Sequence, residues 1–222
     1  MLLSNIVCIL HRQGRKFGII YRIRHDKRTG RVGKELRLNE KTELRKRWMA
    51  REAGFTEDYI TESNAGIARN LFTLPEFQNA GTVLFFYSIW REPDTHEMIR
   101  HALELGKTAA LPRTYPKGVM EARRIQGLND LIPSRFGIPE PPESAAAIEP
   151  DALDFIVVPS VVFDREGFRI GHGVGYYDRY LPLSRAFACG IARENMLARR
   201  VPREPHDFQV NALVTERRIL RF

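Results

Sequence analysis

Cysteine is nearly absent: Cys8 and Cys189 are the two in 222 residues. Two cysteines build neither a disulfide framework nor a CxxC metal knuckle, so a reducing cytosol is the expected setting. Long apolar runs are missing as well. The longest, Val83 to Tyr87 and Phe155 to Phe163, fall far short of a bilayer's thickness, so no membrane partner is expected. The opening run MLLSNIVCIL has no basic residue before it and makes a poor secretory signal. Low-complexity tracts are lacking too, and with 43% apolar and 28% charged residues the composition excludes wholesale disorder and collagen-like repetition. What remains is a chain long enough to bury a sizeable core in one domain.

Acidic residues are outnumbered, and the net charge is +8. The excess is local. Residues 1–37 hold ten Lys/Arg and two acids, whereas residues 38–222 carry 25 basic and 25 acidic side chains. A basic arm over residues 1–38, outside the domain proper, is therefore expected to precede an α/β domain over 39–222. Such an arm can grip nucleic-acid phosphates through counterion release, can be a transit peptide, or can be a solvated tail, which composition favours.

From Asn39 the pattern becomes regular. Asn39 is expected to cap a helix that Gly54 ends, with Leu44 and Trp48 on one face and Lys41 and Arg45 in an adjacent row. A second helix is expected over Thr56–Phe72 with Ile60, Ile67 and Leu71 inward. Strands at Thr82–Tyr87, Thr108–Leu111, Phe155–Val162, Ala186–Ile191 and Val210–Val214 then alternate with helices at Thr95–Leu105 and Tyr177–Leu181. Residues 113–150, rich in proline, read as a long irregular loop. The alternation implies an α/β fold with a mainly parallel sheet, and ligands in such sheets bind beyond the carboxyl ends of the strands. That rule puts Ser88–Asp94, Arg113 and Arg169–Asp178 on one rim.

The segment most able to carry chemistry is Arg169-Ile-Gly-His-Gly-Val-Gly-Tyr-Tyr-Asp178. Gly171, Gly173 and Gly175 leave a backbone whose amides can approach an anion, and a helix opened by Tyr176 would add its own. Arg169 can supply a neutralising fork, and Asp178 can meet a magnesium ion that bridges phosphates. The spacing fits neither a dinucleotide fingerprint nor a P-loop, and on spacing alone a tight turn with satisfied charges explains it better.

This segment, following the strand Val157-Val-Pro-Ser-Val-Val-Phe-Asp164, resembles the signature of the 5-formyltetrahydrofolate cyclo-ligase family. Further landmarks follow in order: Lys41-x-x-Leu-Arg45, Phe86-x-Ser88-x-x-x-Glu92-Pro-Asp94-Thr95, Leu111-Pro-Arg113, Phe136-Gly-Ile-Pro-Glu-Pro141, Pro205-His-Asp207 and Val214-Thr-Glu216. The resemblance covers about residues 39–222. It implies a three-layer α/β/α fold, like that of ribose-5-phosphate isomerase and CoA-transferase domains. It also implies an ATP- and Mg2+-dependent ligase that converts 5-formyltetrahydrofolate to 5,10-methenyltetrahydrofolate through a phosphorylated formyl group, releasing ADP and phosphate.

By position, the resemblance assigns the nucleotide to Lys41, Arg45, Arg169, Gly171, His172, Gly173, Val174, Gly175, Tyr176 and Tyr177. Arg169, Tyr177 and Asp178 would be the catalytic set, with Asp178 on the metal. Glu92, Asp94, Arg113 and Phe136 would hold the folate. Bland readings stand beside these: a solvated helix face for Lys41 and Arg45, a buried hydrogen-bonded tyrosine for Tyr177, a helix cap for Asp94 and a sheet-rim brace for Arg113. Two positions depart from the family pattern. Val174 replaces a glycine, small or basic residue and is expected to resist a positive φ there; His172 replaces a common Tyr or Arg. The chain is read as a monomer. The competing function is a catalytically diverged relative that binds nucleotide or RNA through the arm.

Overall fold

The computed structural model describes residues 8–13, 16–21, 29–134 and 137–222, with side chains from Glu40 onward. Two compact units emerge, residues 1–39 and 40–222. In the first, Cys8–Gln13 and Lys16–Tyr21 pair antiparallel. The basic side chains behind the nucleic-acid expectation lie outside the described side chains.

Five helices are described: α1 (Thr29–Ala53), α2 (Glu57–Phe72), α3 (Pro75–Asn79), α4 (His96–Glu104) and α5 (Tyr176–Tyr180). The first corrects the expected start at Asn39. Lys34, Glu35, Leu36, Arg37 and Leu38 are good helix formers, so the helix runs through Asn39 instead of beginning there. At α2 the local chemistry acts as expected: the Thr56 side chain accepts from the Tyr59 amide at 3.3 Å.

Among the described residues the main sheet has eight strands. In spatial order they are Ile219–Arg221, Ala212–Val214, Phe187–Ile191, Phe155–Val158, Thr82–Leu84, Thr108–Tyr115, Val119–Ile125 and Ala147–Ile148. The strands from Ala212–Val214 to Thr108–Tyr115 run parallel, and the flanking ones are antiparallel. This is a mixed α/β fold with a mainly parallel sheet. Side chains alternate between its faces. Val83, Phe155, Val157 and Cys189 join Ile67, Leu71, Phe77, Met98 and Ile99 from α2, α3 and α4. Leu84, Ile156, Val158 and Ala188 face the other way, onto Tyr180 and Leu181. Cover on both faces explains why Phe155–Val158 is apolar without a break.

The loop expected over 113–150 is partly strand. Val119–Ile125 alternates as far as Arg123, burying Met120 and Ala122, then buries Ile125 out of phase, and it pairs with Thr108–Tyr115 through a turn with φ of 62° at Lys117 and 76° at Gly118. The prolines nearby mask that period of two. Pro159, in turn, breaks the expected strand 155–162 into Phe155–Val158 and Val162–Asp164.

Candidate active site

Helix α1 sets Lys41, Arg45, Trp48 and Glu52 on one face at steps of four, three and four residues. Lys41 is no solvated side chain. It is 7% exposed, and its Nζ donates to Asp207 Oδ2 at 2.8 Å and Glu204 Oε2 at 3.0 Å. Arg45 donates from Nε to the Gly171 carbonyl at 2.7 Å. Its guanidinium lies 3.4 Å from where a Cβ on Gly173 would stand. Partial burial lowers the Arg45 pKa.

The glycine loop begins from a fixed base. Asp164, fully buried, accepts the Glu166, Phe168 and Val201 amides and pairs with Arg203 at 2.8 Å. That holds the hairpin in which Val162–Asp164 pairs with Arg169–Ile170. Arg169, 4% exposed in its side chain, donates to Asp178 Oδ1 at 2.7 Å and to the Phe208 carbonyl at 3.2 Å. Desolvation lowers its pKa, against which the Asp178 carboxylate acts. Asp178 holds the guanidinium directly, whereas Asp207 is bonded to Lys41. Glycine is needed at two places, Gly173 with φ of 105° and Gly175 with φ of 75°, where the chain turns into α5.

Val174 corrects the expectation made of it. It is not among the residues with positive φ, and its side chain is 46% exposed, so the loop accepts a β-branched residue there without backbone strain. Tyr176 donates its hydroxyl to the Tyr115 carbonyl at 3.3 Å. The Tyr177 hydroxyl is buried and has no hydrogen-bond partner among the described residues, which departs from the satisfied tyrosine of the bland reading. Burial pushes its pKa well up.

A third group of residues stands on the loop after Thr82–Leu84. Ser88 and Thr95 bracket it, each side chain accepting the other's amide at 3.0 and 3.1 Å. Glu92 Oε2 accepts the Ile89 amide at 2.9 Å, and Oε1 meets His172 Nε2 at 3.2 Å. Loop 88–94 and the glycine loop are thereby joined. Asp94 is not the helix cap: Thr95 occupies that position, and Asp94, one residue earlier, accepts the His96 amide at 2.9 Å as an Asx turn does. At the turn's tip Trp90 is 83% exposed with φ of 51°.

Arg193 was not singled out from the sequence, because a lone arginine after a strand carries no pattern. Its side chain is fully buried and donates to Ser63 Oγ, Asn64 Oδ1 and the carbonyls of Arg91 and Glu92, fixing the backbone behind the Glu92 carboxylate. Glu52 was missed as well, although it stands on the α1 face of Lys41 and Arg45. It lies 3.8 Å from Arg193 and lines a small cavity with Pro93, Ser160 and Ala192. Desolvation raises its pKa, opposed by Arg193. Asp207 and Glu204 were the third omission; Pro205-His-Asp207 was visible as a landmark, without the lysine it meets.

The structure thus brings together Arg45, Arg169, the glycine loop, Tyr177, Asp178 and Glu92, while Lys41 is held by Glu204 and Asp207. Arg113 is not joined to them by any described bond. It donates to the Pro141 carbonyl at 2.8 Å and stands 3.7 Å from Glu143, as a rim brace would. Phe136 lies outside the described residues.

These groups fit a nucleoside triphosphate. Two cations, Arg45 and Arg169, border the loop, a Cβ on Gly171 would meet nothing within 4 Å, and the Tyr177 hydroxyl is a buried donor with no acceptor among the described residues. For a divalent ion the carboxylate at hand is Asp178. Glu204, His206 and Asp207 also bring their ligand atoms within 4.8 Å of one another, with the Lys41 ammonium against the two acids.

Residues 37–216 match the model of the 5-formyltetrahydrofolate cyclo-ligase family. The probable 5-formyltetrahydrofolate cyclo-ligase of Schizosaccharomyces pombe is 31% identical over 186 residues, covering 76% of this chain and 91% of its own. The 5-formyltetrahydrofolate cyclo-ligase of Escherichia coli K12 is 29% identical over 175 residues, covering 76% and 96%. The NMR structure of Aquifex aeolicus 5,10-methenyltetrahydrofolate synthetase superposes with a TM-score of 0.73 at 32% identity, covering 82% of this chain and 92% of that one. A family match over most of the chain means that this protein belongs to the 5-formyltetrahydrofolate cyclo-ligase family.

Proposed function

We propose that the protein is an ATP-dependent 5-formyltetrahydrofolate cyclo-ligase, producing 5,10-methenyltetrahydrofolate, ADP and phosphate. The observation that carries this is the glycine loop that Arg45 holds at Gly171, that Arg169 and Asp178 flank as an ion pair, and that His172 joins to Glu92. A formyl oxygen is a very poor leaving group. The bound nucleotide supplies the phosphoryl group that makes it a good one. The substrate's N10 then attacks the activated carbon, and phosphate departs as the ring closes.

The protein's part is alignment and charge neutralisation. Arg45 and Arg169 neutralise the triphosphate from two sides of the loop, and Lys41 reaches it from α1. The amides between Gly171 and Tyr176, His172 and Val174 included, follow the phosphate chain. Tyr177 donates its otherwise unpartnered hydroxyl to a ligand oxygen. Asp178 would hold Mg2+. Glu92 accepts N–H donors of the pterin, a pairing suited to a carboxylate whose other oxygen is already fixed. Asp94 shapes the same loop, and Arg113 and Phe136 belong to the folate side. Every group comes from one chain, so a monomer suffices. We place it in a reducing cytosol, and no helix of the described residues is long and apolar enough to cross a membrane. Helices on both sheet faces support the three-layer reading, as in ribose-5-phosphate isomerase and CoA-transferase domains.

The test is a spectrophotometric assay for methenyltetrahydrofolate with purified protein, 5-formyltetrahydrofolate and Mg2+, with and without ATP. Product that depends on ATP supports the reading. No product from folded protein overturns it.

A further inference from the structure

Glu92 divides its carboxylate between two loops. Oε2 is tied to its own turn through the Ile89 amide at 2.9 Å, and Oε1 meets His172 Nε2 at 3.2 Å. Arg193, packed behind, holds the Arg91 and Glu92 carbonyls, so the backbone beneath Glu92 is fixed and His172 is the adjustable contact. His172 stands between Gly171, whose carbonyl Arg45 holds at 2.7 Å, and Gly173, whose φ of 105° suits glycine alone. A triphosphate engaging Arg45 thus acts on the residue next to His172. The charges facing the imidazole are Glu92 and Glu52 on the attractive side and Arg45 on the other. The Glu92 hydrogen bond is the larger cause of a pKa raised above the ordinary imidazole value, which strengthens the contact. A carboxylate oxygen has two lone pairs, so Oε1 can accept from His172 and from a folate N–H together.

We propose that His172 is a positioning residue that couples the two substrates: nucleotide on the glycine loop sets the imidazole, the imidazole sets Glu92, and folate binds more tightly. This rests on the proposed function. By linkage, folate tightens nucleotide binding by the same factor.

The experiment is calorimetric titration of the full chain with 5-formyltetrahydrofolate, with and without a non-hydrolysable ATP analogue and Mg2+. In the native protein the analogue should tighten folate binding about fivefold or more. In His172→Ala, a change at a half-exposed side chain, the factor should fall below about twofold, and His172→Gln, which keeps an N–H donor, should restore part of it. A merely structural role would weaken folate equally with and without analogue, leaving the factor intact; that result overturns the coupling, as does a native factor of one. A native chain that binds no folate overturns the proposed function first, and the coupling with it.

Discussion

Lys41 and Asp207 stand 166 residues apart and meet at 2.8 Å, each almost buried. Glu204 adds a second carboxylate to the same ammonium, and its own amide fixes Asp207 Oδ2 at 2.7 Å. The residue expected to meet phosphates is thus part of the ligand-free fold. Lys41→Met should leave two acids without their cation, at a cost on the order of 3 kcal/mol. A melting temperature lowered by roughly 6–12 °C in ligand-free protein would show it. An unchanged melting temperature would make Lys41 a ligand-binding residue alone.

Arg169 is the cation most enclosed by the site. Arg169→Ala should raise the ATP concentration at half-maximal rate about tenfold, near 1.4 kcal/mol, with the far-ultraviolet circular dichroism preserved. Asp178, 27% exposed, can rehydrate when its partner is removed. Arg169→Lys should not restore the affinity, because one ammonium cannot reproduce the fork that reaches Asp178 and the Phe208 carbonyl at once. ATP dependence equal to that of the native chain would take Arg169 out of the nucleotide site.

The Tyr177 hydroxyl makes no bond that a substitution would break. Tyr177→Phe should therefore keep or raise the melting temperature, since an unpaired buried hydroxyl costs about 1–3 kcal/mol. The same variant should bind nucleotide or folate less tightly in equilibrium titrations. With its pKa raised, the phenol remains a neutral donor throughout the neutral range. Weakened stability would mean that the hydroxyl has a protein partner after all.

Val174→Gly bears on whether valine harms the loop. Its φ lies outside the left-handed region, so glycine relieves no strain, and turnover should change less than about twofold. A larger gain in steady-state rate would show that the isopropyl group crowds the phosphates.

Much of this was legible because local chemistry and tertiary structure agree. Thr56 caps α2, and Ile67 and Leu71 are fully buried. The parallel strands are apolar where both faces are covered. Reading failed where a signal was masked or had no period. Asn39 resembles a cap, yet the residues before it favour helix. Residues 119–123 alternate, but lie amid prolines. At the site, the glycine loop announced itself through three closely spaced glycines and a tyrosine pair. Arg193 and Glu204 did not, because their meaning comes from partners more than 100 residues away. Val174 shows the converse failure: a residue type was judged without the dihedral angle that decides its cost.

The turn at Trp90 has an optical consequence. The chain has two tryptophans. Trp48 packs against the cluster of Val162, Ile170 and Val201 beneath Arg51, whose Cζ is 5.5 Å from the ring centroid, while Trp90 is 83% exposed two residues before Glu92. A water-borne quencher such as iodide therefore extinguishes Trp90 first and leaves Trp48 glowing. The difference between the two spectra is weighted toward the rim, because Trp48 is only partly exposed. A ligand that shields the rim changes that difference without any label, and the molecule becomes its own occupancy meter.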